Sequence, residues 1–348
     1  MQQPAARRRR QALRETLQRI VRLVREVRAD ALLCGGDLFE QERFSLDTAE
    51  FLRTSFAGLH PTPVFVAPGN HDWYGPDSLY HRTRWSDNVR IFRSDRLEAA
   101  TLADGLTLWG AAHRAPANTG GFLDGFAVDR GGVHLALFHG SERGWLEAQG
   151  AGKLPHAPFG AQQIQMAGLH FAFLGHYHRP FDGACYSYPG NPDPLSFGED
   201  GERGAVVATV EPSGMVAIER RTVAVTESHD LMVDLTGCTN QQGVRDRVGT
   251  AAAGLAGFAR ITLTGELARE IDLRPADLST AVPAFEGVQV RTHGLRIGYD
   301  VASIKDEPTV RGQFMRDVLA ADLADDERRR VLLTGLRALE GRSDLEVP

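Results

Sequence analysis

Apolar residues recur at helical spacing over 11–28. Leu13, Leu17, Ile20, Val21, Val24 and Val27 share one face, with arginines and glutamates opposite, which predicts an amphipathic helix. The pattern then changes. Ala31-Leu32-Leu33-Cys34 is a short unbroken apolar run, the mark of a buried strand, and it ends in Gly35-Gly36-Asp37-Leu38-Phe39-Glu40. A second helix is predicted with Leu46, Ala49, Leu52, Phe56 and Leu59 on one face. Pro63-Val64-Phe65-Val66-Ala67 repeats the strand signal and ends in Pro68-Gly69-Asn70-His71-Asp72-Trp73. This alternation predicts βαβ units, an α/β fold with a parallel sheet inside covering helices.

Beyond residue 100 the texture differs. The runs 106–109, 133–138 and 169–174 read as short strands between glycine-rich loops, and 113–130 reads as a long surface loop, a kind that is more often functional than not. The second run ends in His139-Gly140 and the third in Gly175-His176-Tyr177-His178. Tyr186-Ser187-Tyr188-Pro189-Gly190-Asn191-Pro192 reads as a turn, and 204–210 with 215–223 as a β-hairpin. Past residues 223–228 the motifs stop. Strands are predicted at 231–235, 259–263 and 288–292, and charged helices near 308–322 and 326–341. The expected organisation is a motif-bearing domain over 1–223 and a small α+β accessory domain over 224–348.

Composition narrows the picture. With 348 residues, 42% hydrophobic and 24% charged, the chain is an ordinary globular protein able to bury a large core. Its net charge of −6 gives no global basic signal, so an enzyme of nucleic acids would need a local basic surface or bound metal to manage phosphate charge. Cys34, Cys185 and Cys238 are odd in number, far apart and without zinc-ligand spacing, and read as reduced thiols of a cytoplasmic protein. No apolar run reaches the length of a membrane span. The arginine run 7–10 leads into a charged helix rather than a signal-peptide core and reads as a solvated helix start.

The candidate chemistry lies at strand ends, where ligands bind in open α/β sheets. Four of them present Asp37, Asn70-His71, His139 and His176 with His178. Carboxylate, amide oxygen and neutral imidazole suit divalent first-row metals such as manganese, iron or zinc. Two such ions are a standard device for phosphoester cleavage. Asp37 can bridge them, and His71, beside a ligand, can protonate the leaving oxygen. Each of these residues has a plainer reading by itself: a hydrogen-bonded histidine, or an aspartate capping the next segment. Their joint occurrence in this order favours the metal reading. The remaining histidines, His156 among them, read as structural, and only His113, before the long loop, stands out.

Gly-Gly-Asp-Leu-Phe-Glu, Gly-Asn-His-Asp, Phe-His-Gly and Gly-His-Tyr-His resemble four of the five motifs of the calcineurin-like metallophosphoesterases. Within them the chain most resembles the DNA-repair exonucleases, nuclease subunits that pair with an SMC-like ATPase. The Tyr-Pro-Gly-Asn-Pro-Asp-Pro-Leu-Ser-Phe-Gly-Glu stretch at 188–199 and the hairpin after it carry that narrower likeness. The tail is more loosely similar to a bacterial capping domain, with Gly298-Tyr299-Asp300 and the 307–312 segment near its end. The resemblance implies a β-sandwich flanked by helices with a small α+β capping domain. It also implies a hydrolase of DNA using two Mn2+ ions, with His71 catalytic. Asp37 would bridge the ions; Asn70, His139 and His176 would hold one ion and His178 the other. A homodimer is compatible with it.

One departure matters. The family opens with an Asp-x-His strand supplying two ligands to the ion of His178, and nothing before Asp37 provides it; Asp30 is followed by Ala31-Leu32. The second site is then expected to bind weakly and the sheet to lose a core strand. Either Met1 is interior to a longer natural protein, which the four intact motifs favour, or the chain is a truncation that has lost activity. Two further readings stay open: a phosphoesterase for nucleotides or small phosphodiesters, and an inactive scaffold subunit docking on an ATPase. Val331, Leu332, Leu336 and Leu339 fit a docking face, though core packing is the commoner fate of such residues.

Overall fold

The computed structural model describes residues 3–146, 155–268, 271, 273, 275–299 and 301–341. Two compact units emerge, Met1–Leu195 with Glu202–Val225, and Ser196–Gly201 with Thr226–Pro348. The first unit opens with α1 (Gln3–Glu26), β1 (Leu32–Cys34), α2 (Leu46–Ala57), β2 (Val64–Val66), α3 (Leu79–Arg82) and β3 (Val89–Ile91). It continues through β4 (Glu98–Ala103), β5 (Leu106–Gly110), β6 (Val133–His139), α4 (Ala161–Met166) and β7 (Phe171–Gly175). It closes with β8 (Phe181–Asp182), β9 (Tyr186–Tyr188) and the hairpin β10 (Gly204–Val210) and β11 (Val216–Thr222).

β1, β2 and β3 pair in parallel. A second, mixed sheet has the order β4-β5-β6-β7-β9-β8, parallel from β5 to β9 and antiparallel at each edge. The inner strands β2 and β6 are largely apolar and buried because both of their faces are covered. Phe65, Leu108, Leu135 and Leu137 fill the space between the sheets. Their neighbours Val64 and Val66 face Val21, Val24, Leu52 and Phe56 of the helices. On the far side, Ala136 and Phe138 pack with Phe159, Ile164 and Tyr186. The result is a mixed α/β fold in which a β-sandwich is flanked by helices.

Several local expectations are corrected. α1 starts well before residue 11, since arginine is a good helix former. Arg9 is not solvated: it pairs at 2.5 Å with the fully buried Asp193. Leu46 is 86% exposed, because it is the first residue of α2, directly after the N-cap Ser45. The loop 113–130 lies only partly on the surface, for Phe122 and Leu123 are buried against the outer face of the second sheet. Tyr186–Tyr188, expected in a turn, is a buried strand. β1 forms the edge of its sheet and is only half-buried, whereas β2 is fully buried.

The second unit comprises β12 (Ser228–Asp234), α5 (Gln241–Ala251), β13 (Gly257–Leu267), α6 (Pro275–Leu278) and β14 (Phe285–Ile297), then α7 (Val301–Lys305), α8 (Val310–Ala320) and α9 (Asp325–Leu339). Its three strands are parallel. Val233, Val244, Val248, Ile261 and Leu263 lie in its core. On α9, Leu336 is buried with Ile304 and Met315, Leu332 packs against them, and Val331 and Leu339 are exposed. Asp300 lies outside the described residues. Among the described residues no helix is long and apolar enough to cross a membrane.

Candidate metal centre

Parallel pairing brings the C-terminal ends of β1 and β2 together in one sheet and those of β6 and β7 in the other. The two pairs meet backbone to backbone. A Cβ on Gly175 would stand 1.9 Å from the Gly35 carbonyl oxygen, and one on Gly69 would stand 2.2 Å from Asp37 Oδ1 and 2.8 Å from His139 Nδ1. Only glycine permits this approach. Asp37 (φ 56°) and His176 (φ 111°) both adopt left-handed backbone, uncommon for residues with a Cβ and concentrated at functional sites.

Asp72 ties the first two turns together. Its Oδ1 accepts from the N–H groups of Gly69 (2.6 Å) and Asp37 (3.0 Å), and its Oδ2 from Leu38 N–H (2.8 Å) and Tyr80 Oη–H (2.6 Å). Burial and the nearby Asp37 charge raise its pKa, while the Tyr80, Leu38 and Asp37 donors oppose that rise. Four donors suit an ionised carboxylate, which only accepts. On the other side, Tyr188 Oη–H donates to the Gly140 carbonyl (2.6 Å). Arg203 donates to Asn191 Oδ1 (2.6 Å) and to the His178 carbonyl, fixing the turn that carries both histidines.

Held this way, Asp37, Asn70, His139 and His176 converge. The buried His139 imidazole is the hub. Its Nδ1 lies 2.7 Å from the Gly35 carbonyl and therefore carries a proton, which turns Nε2 inward. Around Nε2 stand Asn70 Oδ1 at 3.1 Å, Asp37 Oδ2 at 3.2 Å and His176 Nδ1 at 3.3 Å. Burial alone would lower His139, but the adjacent Asp37 carboxylate outweighs it and raises the pKa. Burial would raise Asp37; His139 and the backbone N–H of His71 instead hold it well below the usual carboxylate range. Burial, then His139, push His176 down to about 2, so its ring is neutral.

These contacts test the fit of a cation. Asp37 Oδ2, Asn70 Oδ1 and a neutral His176 Nδ1 present lone pairs to one point beside His139 Nε2, and such a gathering is tolerable only with positive charge there. A proton on Nε2 supplies it in the metal-free chain. A divalent ion supplies it better, because ligands about 2.1 Å from one ion and at right angles stand about 3.0 Å apart. Among the described residues no group of three His, Cys, Asp or Glu side chains is disposed to hold an ion.

His71 and His178 stand apart from this hub. His71 N–H donates to Asp37 Oδ1 (3.0 Å), while its exposed ring places Nδ1 2.6 Å from Glu40 Oε1. His178 is exposed two residues beyond His176. Sequence reasoning missed Asp72 and Glu40, although both lie inside quoted motifs. It also missed His156, whose ring lies 5.3 Å from that of His176. His113 is fully buried, and its Nε2–H donates to the His139 carbonyl at 2.7 Å. Burial, then His139, push it down to about 3.

Comparison with known proteins finds two likenesses. Residues 9–180 match the model of the calcineurin-like phosphoesterase family. A protein of Bacillus subtilis (strain 168) described as the uncharacterized metallophosphoesterase YhaO is 26% identical over 227 residues, 61% of this chain and 52% of that protein. The chain thus spans about half the length of that relative. The stretch 9–180 is similar to the calcineurin-like phosphoesterases, a family that hydrolyses phosphoesters with divalent metals.

Proposed function

We propose that this protein is a Mn2+-dependent phosphodiesterase acting on DNA, of the exonuclease type found in DNA repair. The carrying observation is the convergence of Asp37, Asn70, His139 and His176 on one point, with the backbone N–H of His71 on Asp37 Oδ1. These four would hold one ion; Asp37 and His178 would serve a second. When bound, the metal supplies a water-derived nucleophile at neutral pH and stabilises charge on the phosphoryl oxygens.

The chain's own residues do the rest. Asp72 fixes the turns that carry Asp37 and Asn70. Glu40 holds the His71 ring through Nδ1, leaving Nε2 as the edge able to deliver a proton to the leaving oxygen. The DNA reading is supported by the likeness of 188–199 to the repair exonucleases, and with it comes an SMC-like ATPase as partner. A small phosphodiester is the second reading, favoured by the net charge of −6.

The test is hydrolysis of bis-p-nitrophenyl phosphate and of linear DNA by the full chain with Mn2+, with Asp37→Asn and His71→Ala as controls. Cleavage of both substrates, lost in both variants, is the expected result. Cleavage of the small ester alone would favour the second reading, and cleavage of neither would remove the enzyme reading and leave a scaffold. Mixing with an SMC-type ATPase in size-exclusion chromatography reads the partner.

A further inference from the structure

Four imidazoles form a closed ring beside the hub. Successive ring centroids lie 5.1 Å apart for His139–His176, 5.3 Å for His176–His156, 6.2 Å for His156–His113 and 5.6 Å for His113–His139. The first two carry hub donors. The other two have no part in the chemistry so far, yet each has a buried Nδ1 without a hydrogen-bond partner. His113 is wholly buried and its Nε2 is committed to the His139 carbonyl, so its orphan nitrogen is a lone pair. His156 is only half-buried, and with its Nδ1 shut away its exposure belongs to the rest of the side chain. Its backbone is pinned: Ser141 Oγ accepts from His156 N–H (3.0 Å), and Ser141 N–H donates to the His156 carbonyl (2.8 Å).

We infer that His156 is a substrate-contacting residue whose Nε2 edge donates a hydrogen bond to a non-bridging oxygen of the phosphate bound at the hub. The inference rests on the phosphoesterase reading. Three observations lead to it. His156 is anchored to the turn just after His139, and its ring lies against His176, so it flanks the hub donors on the His176 side. His71 flanks them on the Asp37 side, also with Nδ1 engaged and Nε2 left over. His113 stands behind His156, ring centroid to ring centroid at 6.2 Å, and the Nδ1 atoms of both are buried without a partner. With Nδ1 shut away, Nε2 is the edge of His156 left for a ligand.

Glutamine places its amide nitrogen close to histidine Nε2, and asparagine close to Nδ1, so the two replacements separate the ring's edges. The full chain and its His156→Ala, His156→Gln and His156→Asn variants would be loaded with Mn2+ and checked for metal by elemental analysis. Inorganic phosphate binding would be measured by calorimetry, and KM and kcat on bis-p-nitrophenyl phosphate in parallel. The expected result is unchanged metal content, a dissociation constant for phosphate raised at least tenfold in the Ala and Asn variants, and recovery to within about threefold in Gln. Equal phosphate affinity in wild type and His156→Ala would overturn the inference. So would rescue by Asn instead of Gln, or loss of metal in His156→Ala, which would make the residue part of the cage. Phosphate binding is read without turnover, so an inactive wild-type chain would count against the phosphoesterase reading and leave this measurement standing.

Discussion

Removing the acceptor at Asp72 tests whether the turns that carry Asp37 and Asn70 are held by one buried carboxylate. In Asp72→Ala the N–H groups of Gly69, Asp37 and Leu38 and the Tyr80 hydroxyl all lose their acceptor. Each buried donor left alone costs about 1–3 kcal/mol, but the four share one partner and do not add. Loss of one member of a buried charged network costs about 3–5 kcal/mol, and we expect a value near the middle, about 4 kcal/mol. That is a large part of the roughly 5–15 kcal/mol that holds a domain folded. Asp72→Asn is milder. Its remaining oxygen can serve Gly69 and Asp37 and the Tyr80 hydroxyl can turn to accept, so only Leu38 N–H faces a donor, at about 1–3 kcal/mol. All four tryptophans, Trp73, Trp85, Trp109 and Trp145, lie in the first unit, so their fluorescence in urea follows that unit. With a slope of about 2–3 kcal/mol per molar, the Ala midpoint should fall by roughly 1.5 M and the Asn midpoint by roughly half as much. Mn2+ affinity measured by calorimetry should weaken at least tenfold in both, because the turns of Asp37 and Asn70 are released. An Asn variant that matched wild type in both midpoint and affinity would refute the reasoning.

Other outcomes follow from the same geometry. Gly69→Ala would drive a methyl onto Asp37 Oδ1 and His139 Nδ1, so elemental analysis of the purified variant should show loss of bound metal, whereas retention at wild-type stoichiometry would contradict the close approach. Glu40→Gln should leave the urea midpoint unchanged, because the pair with His71 is at the surface, while phosphodiester turnover falls on the order of tenfold as the ring loses its orientation; equal turnover would sever Glu40 from the mechanism. For pH, Asp37 is lowered from 3.8 and His139 raised from 6.5, so their pairing stabilises the metal-free chain fully between these values. It is lost as pH falls through the depressed Asp37 value or rises through the elevated His139 value. Melting temperatures of the metal-free chain should therefore decline above neutrality, and Mn2+ should flatten the decline; a metal-free profile with no such decline would contradict the pair.

The elements that bear the site were legible because their signals are local. Runs such as Val64-Phe65-Val66 have few alternatives to a buried strand, and a Gly-Asn-His-Asp turn directly after one marks a strand end. Short strands with mixed composition were not legible: β4 reads Glu-Ala-Ala-Thr-Leu-Ala, and its place at a sheet edge is set by pairing with β5. The four hub donors could be chosen from motif and order, but their supports could not. Asp72 is the last letter of its motif, and nothing in the sequence says that it points back at Leu38 rather than out to solvent. His156 comes 17 positions after His139 and is brought back to its neighbourhood by the hydrogen bonds to Ser141 and a parallel bridge between Glu142 and Phe159. Arg9 looked solvated because its buried partner, Asp193, is 184 residues away.

The seam where Gly35 meets Gly175 has a consequence for how the protein matures. Asp37 and Asn70 are carried by one sheet, His139 and His176 by the other, so neither half of the sandwich owns a complete set of donors. An ion held at the hub, as proposed, would be a rivet through both sheets, closing a span of more than a hundred residues between β1 and β7. Metal uptake would then report assembly. A nascent chain released before β7 would sequester no metal at this point, and a chelator would loosen the sandwich along its glycine seam before it disturbed either sheet.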